Sequence, residues 1–351
     1  MTEKKQIYFA EDGYREWMKQ AVEPYLKAYR KYAYIRSYDG TAIFYNEYRA
    51  PAAERCVVIS HGFCEFAEKY NEVIYYFLNG GFSVYIPEHR GHGYSDRATE
   101  DVEKVHVDEF EKYVRDFDCF IKALAGRMEK HRILFAHSMG GAIGARYLEE
   151  YPGVFEAAVL SSPMLRMKTG KYPQFVVKLT ADFYTATGRG EVYAAGQTGF
   201  DERPDFEHSS CVSRARYDYV FEKRMKNLQY QIYGGTWAWV RAAIKITGIL
   251  MKKRSLAHIN IPVLIFTAGR EHMVDNRAAA EFANRVPGAS LLSLPDAKHE
   301  IFNAGYETRL TYYREIFSFF RADQSRMVPW KETENEDEEQ NEQARKVLGV
   351  I

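Results

Sequence analysis

The sequence predicts an α/β protein, a mostly parallel sheet flanked by helices and interrupted once by a helical insertion. Three observations carry this. Short apolar runs, such as residues 55–60 (RCVVIS) and 261–268 (IPVLIFTA), alternate with helical stretches, as in right-handed strand–helix–strand crossovers. The alternation stops from 163 to about 260, where no convincing strand can be read. Residues 132–150 (RILFAHSMGGAIGARYLEE) run from a buried-strand pattern through an abrupt turn into a small-residue helix, with Ser138 at the corner.

Composition narrows the function. Of 351 residues, 46% are hydrophobic, and Lys+Arg and Asp+Glu both total 48. A zero net charge argues against nucleic acid as a partner, since phosphate contacts need a basic excess or patch. Aromatics reach 15%, which suits either an aromatic core or a pocket for an apolar substrate. The first residues, MTEKKQIYFAEDGYREW, are charged and lack the apolar centre of a signal peptide. No apolar run is long enough to span a bilayer. Cys56, Cys64, Cys119 and Cys211 lack zinc or redox spacing, and reduced thiols suit a cytoplasmic protein.

In order along the chain, residues 1–30 read as an N-terminal helical arm. Residues 32–37 and 42–49 flank Asp39-Gly40, a hairpin signal. The strand at 55–60 runs into His61-Gly62-Phe63-Cys64-Glu65, a helix covers 68–79, and a strand covers 82–87. The next loop, Glu88 to Ser95 (EHRGHGYS), reads as a hydrogen-bonded structural loop; as a metal site it is weak, and no lysine follows its glycines to bind phosphate. An amphipathic helix over 107–130 leads to the serine turn, and 155–162 is a further strand. The insertion, 164–258, is helical at 172–186, 211–231 and 236–251. The core, 31–163 and 259–323, closes with strands 261–268 and 290–294, a helix between them at 277–286, and a final helix at 308–321. Residues 324–351 form an acidic polar tail.

The turn at Ser138 fits a nucleophile elbow, in which the residues two before and two after the serine must be small. Gly140 is ideal; Ala136 carries one methyl more than the usual glycine. Serine hydrolysis also needs a base and a carboxylate that fixes the base's tautomer. Ser138, an acid within 271–275 and His299 occur in the order serine, acid, histidine, each just after a strand. Glu271 is the first exposed position past its strand and is the preferred acid; Asp275, which can also cap the following helix, is the alternative. Oxyanion donors would be the N–H groups of Phe63 and Met139. His61 suits loop scaffolding better than catalysis. Glu65, His137 and Trp237 are candidate substrate contacts.

The motifs HGFCE, EHRGHGYS, AHSMGG, GREHMVD and KHEIFNA together resemble the monoacylglycerol lipase and lysophospholipase branch of the α/β-hydrolases. Residues 213–217 and 234–241 look like the bacterial lysophospholipase L2 type, and the resemblance covers about residues 30–320. It implies an α/β-hydrolase fold with an eight-stranded-type sheet, Ser138 as nucleophile, His299 as base and Glu271 as acid. It implies no cofactor, and a lysophospholipid or similar monoacyl lipid as substrate. Transient membrane-surface contact is compatible with that, though no basic amphipathic anchor stands out. The rival readings are a monoacylglycerol lipase, a general carboxylesterase, an S33-type peptidase and a non-catalytic lipid-binding protein. Three residues depart from the branch's usual forms: Ala136 for glycine, Glu88 for aspartate and Glu271 for aspartate.

Overall fold

The computed structural model describes residues 11–322, without the side chains of Lys253 and Ser255. The acidic tail and the first ten residues of the arm lie outside the described residues. Eight strands form one sheet: β1 (Arg30–Arg36), β2 (Ala42–Tyr48), β3 (Arg55–Ser60), β4 (Ser83–Pro87), β5 (His131–His137), β6 (Ala157–Ser161), β7 (Val263–Ala268) and β8 (Ala289–Leu294). Their order is β1-β2-β4-β3-β5-β6-β7-β8. Only β2 runs against its neighbours, pairing antiparallel with β1 and β4. The β1–β2 hairpin turns through Asp39 and Gly40, whose φ of 89° suits a residue without Cβ.

Parallel strands need cover on both faces, and alternate residues of β3 and β5 supply two cores. Val57, Ile59, Ile133 and Phe135 pack with the N-terminal arm and the closing helix Tyr306–Ala322. Cys56, Val58, Leu134 and Ala136 pack on the other face with helices Glu111–Leu124 and Met139–Glu150, and with Trp237 and Trp239 of the insertion. In the arm, Tyr14, Met18, Val22 and Leu26 are all buried. The carboxyl ends of β3, β5, β7 and β8 therefore share one sheet edge, where open α/β sheets bind ligands.

Between β6 and β7 the chain folds as helices Gln174–Ala186, Arg214–Lys226 and Trp237–Leu250. The first and third pack on each other, and the third also lies on Met139–Glu150. One detail departs from expectation: Gly234–Gly235 forms a two-residue parallel ladder with Lys104–Val105. Glycine permits it, because a Cβ at Gly234 would lie 2.3 Å from the Thr198 carbonyl.

Candidate active site

At the end of β5 the backbone turns so sharply that Ser138 adopts φ 53°, ψ −118°. A serine with positive φ is strained, and the surroundings hold it there. The Ser138 N–H donates to the Ser161 carbonyl at 3.1 Å, and the Ser138 carbonyl accepts the N–H groups of Gly141 and Met164 at 2.9 and 2.8 Å. A Cβ at Gly140 would lie 2.0 Å from the Ser60 carbonyl oxygen, so only glycine lets the elbow touch β3. The extra methyl of Ala136 is accommodated one helical turn further on: a Cβ at Gly144 would lie 3.1 Å from the Ala136 Cβ and 2.8 Å from Leu134 Cδ2.

Three side chains converge at this edge. Ser138 Oγ lies 2.8 Å from His299 Nε2, and His299 Nδ1 lies 2.7 Å from Glu271 Oε2. A carboxylate at Nδ1 fixes the proton there and leaves Nε2 as the acceptor facing the serine hydroxyl. The other Glu271 oxygen accepts the N–H groups of Met273 and Val274 at 2.7 and 3.3 Å. Burial would raise the Glu271 pKa, but the His299 hydrogen bond and charge and the two N–H donors outweigh it and hold the carboxyl at about 2.

Asp275 is engaged elsewhere. It caps helix Asn276–Arg285 by accepting the Arg277 N–H, and it pairs with Arg277 at 3.0 Å and Arg166 at 3.3 Å. Arg277, then Arg166, hold its carboxyl at about 2. Of the two acids in this loop, the structure brings only Glu271 to His299.

The N–H groups of Phe63 and Met139 lie on the loop after β3 and at the first turn of Met139–Glu150. Among the described residues neither meets a protein acceptor. The N–H groups on either side of Phe63 are both engaged. Gly62 N–H donates to Glu65 Oε2 at 2.5 Å and Cys64 N–H to His92 Nε2 at 3.2 Å. His61, completely buried, bonds Gly62 O through Nδ1 at 2.9 Å and accepts the His89 N–H at Nε2 at 3.0 Å. Burial lowers its pKa to about 4, so it braces the loop as a neutral imidazole.

The three expected substrate contacts all have partners within the protein. Glu65 is buried and accepts from Gly62, from Lys69 Nζ at 2.8 Å and from the Tyr70 hydroxyl at 2.5 Å. His137, 1% exposed, bonds the Ser161 carbonyl through Nδ1, with its ring centroid 5.0 Å from that of His299. Both are occupied in holding the site together. Trp237 stacks on Tyr184 inside the insertion with centroids 5.1 Å apart, whereas Trp239 meets Phe63 at 4.3 Å. Two residues apart on a helix means about 200° of rotation, so only one of the pair can face the loop.

Lys69, which the sequence reading passed over, sits between Glu65 and Glu300 at 2.8 and 2.7 Å. It ties the oxyanion loop to the residue after His299. The available signal was a lysine four residues after Glu65, a spacing at which opposite charges meet on a helix. The loop from Glu88 to Ser95 is internally bonded, with Glu88 accepting the N–H groups of Ala67 and Tyr94 at 2.9 and 2.6 Å.

Comparison with known proteins agrees with this architecture. Residues 51–304 match the family described as Serine aminopeptidase, S33. Lysophospholipase L2 of Escherichia coli (strain K12) is 31% identical over 295 residues, covering 80% of this chain and 85% of that protein. The probable lysophospholipase L2 of Haemophilus influenzae is 30% identical over 253 residues, covering 71% of this chain and 78% of that one. A soluble variant of the Saccharomyces cerevisiae monoglyceride lipase, solved with a substrate analog, superposes with a TM-score of 0.64 at 16% identity, covering 82% of this chain and 94% of that chain. At that identity the likeness speaks for the fold alone. Sheet order, elbow and matched span agree, and the chain belongs to the serine aminopeptidase S33 family of the α/β-hydrolases.

Proposed function

We propose that this chain hydrolyses the acyl ester of a lysophospholipid or a closely related monoacyl lipid. The observation that carries the chemistry is the hydrogen-bonded line from Ser138 through His299 to Glu271. Ser138 Oγ attacks the acyl carbonyl as its proton passes to His299 Nε2. The N–H groups of Phe63 and Met139 bind the oxyanion. The C–O bond then breaks as His299 protonates the leaving alcohol, giving an acyl-serine. Water attacks next, its proton goes to His299, and the fatty acid leaves as Ser138 regains its hydrogen.

Similarity to lysophospholipase L2 over 80% of the chain supports the substrate class. So does the surface of the insertion, which we read as a cap over the site. Tyr172, Phe175, Leu179 and Phe183 are 58–67% exposed, and the last three follow at four-residue spacing on one face of Gln174–Ala186. Lys168 and Lys171 are exposed just before that helix, and Lys168 Nζ also donates to the Glu271 carbonyl at 2.8 Å. An apolar stripe with cations beside it fits transient contact with an anionic lipid surface. We read it as the anchor that the sequence pattern did not suggest. No helix among the described residues is long and apolar enough to cross a membrane. With four free cysteines, a cytoplasmic protein acting at the inner membrane face is the setting we infer.

Fluorophosphonate labelling of Ser138 tests the mechanism; wild-type protein that stays unlabelled refutes it. A panel of lysophosphatidylcholine, monoacylglycerol, short nitrophenyl esters and aminoacyl-arylamides tests the substrate. Lysophosphatidylcholine should be turned over best. Preference for the arylamide would instead favour the peptidase activity of the family's description.

A further inference from the structure

The residue after Phe63 is held in an unfavourable conformation by the insertion. Cys64 has φ 57°, a left-handed backbone that a residue with a Cβ adopts at a cost of about 1–2 kcal/mol. Three bonds keep it there. His92 Nε2 accepts its N–H at 3.2 Å, Arg224 Nη2 donates to its carbonyl at 2.5 Å, and its thiol donates to the Tyr233 carbonyl at 2.8 Å. Two of these partners, Arg224 and Tyr233, belong to the insertion. Arg224 is itself anchored, its Nη1 donating to the Ile232 carbonyl at 2.8 Å and its guanidinium lying 5.6 Å from the Phe66 ring centroid.

On the other side of Phe63 the constraint comes from the core. In a trans peptide the C=O and the following N–H point in opposite directions. His61 Nδ1 holds the Gly62 carbonyl, so it sets the direction of the Phe63 N–H from behind. That lock fixes one end of the Phe63 unit. The other end is Cys64, whose strained φ the core holds through His92 alone, the other two bonds coming from the insertion.

We propose that Arg224 is a positioning residue for the oxyanion hole: by holding the Cys64 carbonyl, the insertion keeps the Phe63 N–H aimed at the acyl oxygen. The inference rests on the serine-hydrolase reading above. It gives the insertion a part in transition-state binding, so that displacing the helix Arg214–Lys226 would lower catalysis even with the serine, histidine and glutamate in register.

The experiment compares Arg224→Met and Arg224→Lys with wild type and with Arg214→Met. Arg214 lies on the same helix but pairs at the surface with Asp218. Three readouts are needed: kcat and KM on a soluble nitrophenyl ester, affinity for an alkylboronic acid that forms a tetrahedral adduct on the serine, and fluorophosphonate labelling. Removing a whole oxyanion donor costs roughly 10²–10³ in kcat, so a donor left in place but loosened should cost about 10- to 100-fold. Arg224→Met should show that fall in kcat with KM nearly unchanged, and boronate affinity should fall in step. Arg224→Lys, able to reach one carbonyl but not both, should fall in between; Arg214→Met should match wild type.

An Arg224→Met enzyme with wild-type kcat, or one whose boronate affinity holds while kcat falls, overturns the proposal. If that variant does not fold, Arg224→Lys decides by the same two readouts: a parallel loss supports the proposal and wild-type values overturn it. Unlabelled wild type would refute the hydrolase reading and the inference with it. Labelled wild type alongside an indifferent Arg224→Met refutes the inference alone.

Discussion

Two helices, one in the core and one in the insertion, follow opposite rules. In Met139–Glu150, which carries the elbow, ten of the twelve residues are buried, three of them glycine. In Gln174–Ala186, the first helix of the insertion, only Ala181 is buried. The first has its geometry dictated from every direction, by Ser60 and His61 at one end and by Leu134 and Ala136 along its length. The second leaves large apolar side chains facing water, an arrangement that costs solubility unless something apolar covers it. Reaction geometry has to be preorganised, and so the elbow helix is packed on all sides. Access to an apolar substrate calls for an unfinished surface, which the insertion supplies.

The comparison breaks most dramatically at the elbow. Ser138→Ala should lower kcat by about 10⁴-fold or more, as removal of a triad nucleophile does, read on a nitrophenyl ester with circular dichroism to show an intact fold. Glu271→Gln should cost about 10³–10⁴-fold, because an amide no longer fixes the His299 tautomer. Asp275→Asn should change kcat only a few-fold, since its carboxylate serves Arg277 and Arg166; the reverse ranking would reassign the acid.

The insertion helix should respond differently. Phe175→Ser with Leu179→Ser should reduce turnover of substrate in anionic vesicles by about tenfold, in line with the loss of two buried apolar side chains at about 1.5 kcal/mol or more each, partly realised. Turnover of a soluble ester should stay at the wild-type value. A parallel loss on both substrates would mean that the stripe packs the fold and does not meet lipid.

Packing along the elbow helix gives a smaller effect. Gly144→Ala should destabilise by about 1–3 kcal/mol through overpacking, seen in thermal melts. Adding Ala136→Gly should recover part of that loss, because the two Cβ positions compete for one space. Simple additivity would show that they do not.

A comparable effect on stability depends on pH. The Glu271 carboxyl is held at about 2 in the folded protein, below an ordinary value of about 4.3 in an unfolded chain. Between those values the unfolded state binds more protons, so this group's contribution to stability is complete above the higher value and is lost as pH falls toward the lower. Urea melts of wild type and Glu271→Gln should therefore converge as pH drops from 5 toward 2. A constant gap would contradict the depressed pKa.

Much of the fold was legible because each strand is an apolar run set between turn residues. All eight were located, with ends that coincide or differ by one or two residues, as for β5, where the polar His131, Arg132 and His137 extend the ladder beyond the apolar stretch. Ser138 and His299 could be picked out by position after strands. Glu271 was preferred to Asp275 only by its place at the end of the strand, since both lie in one loop and the approach of β8 decides which carboxylate meets His299. Trp237 was chosen over Trp239 because spacing does not say which face of a helix turns toward a loop. The protein partners of Glu65 and His137 were not legible, because polar residues beside a nucleophile resemble ligand groups in sequence. Arg224 left no trace in sequence: its target, Cys64, is 160 residues away.

Lys69 has a consequence for how the site can open. Its ammonium is shared by Glu65 on one catalytic loop and Glu300 on the other, and all three groups are largely out of water. Separating the loops would strand a charge in a medium that solvates it poorly, at a cost of about 3–5 kcal/mol. The two loops must therefore travel as one body. A substrate cannot enter by prying the sheet edge apart, so in the cap reading proposed above the opening would be hinged in the inserted helices.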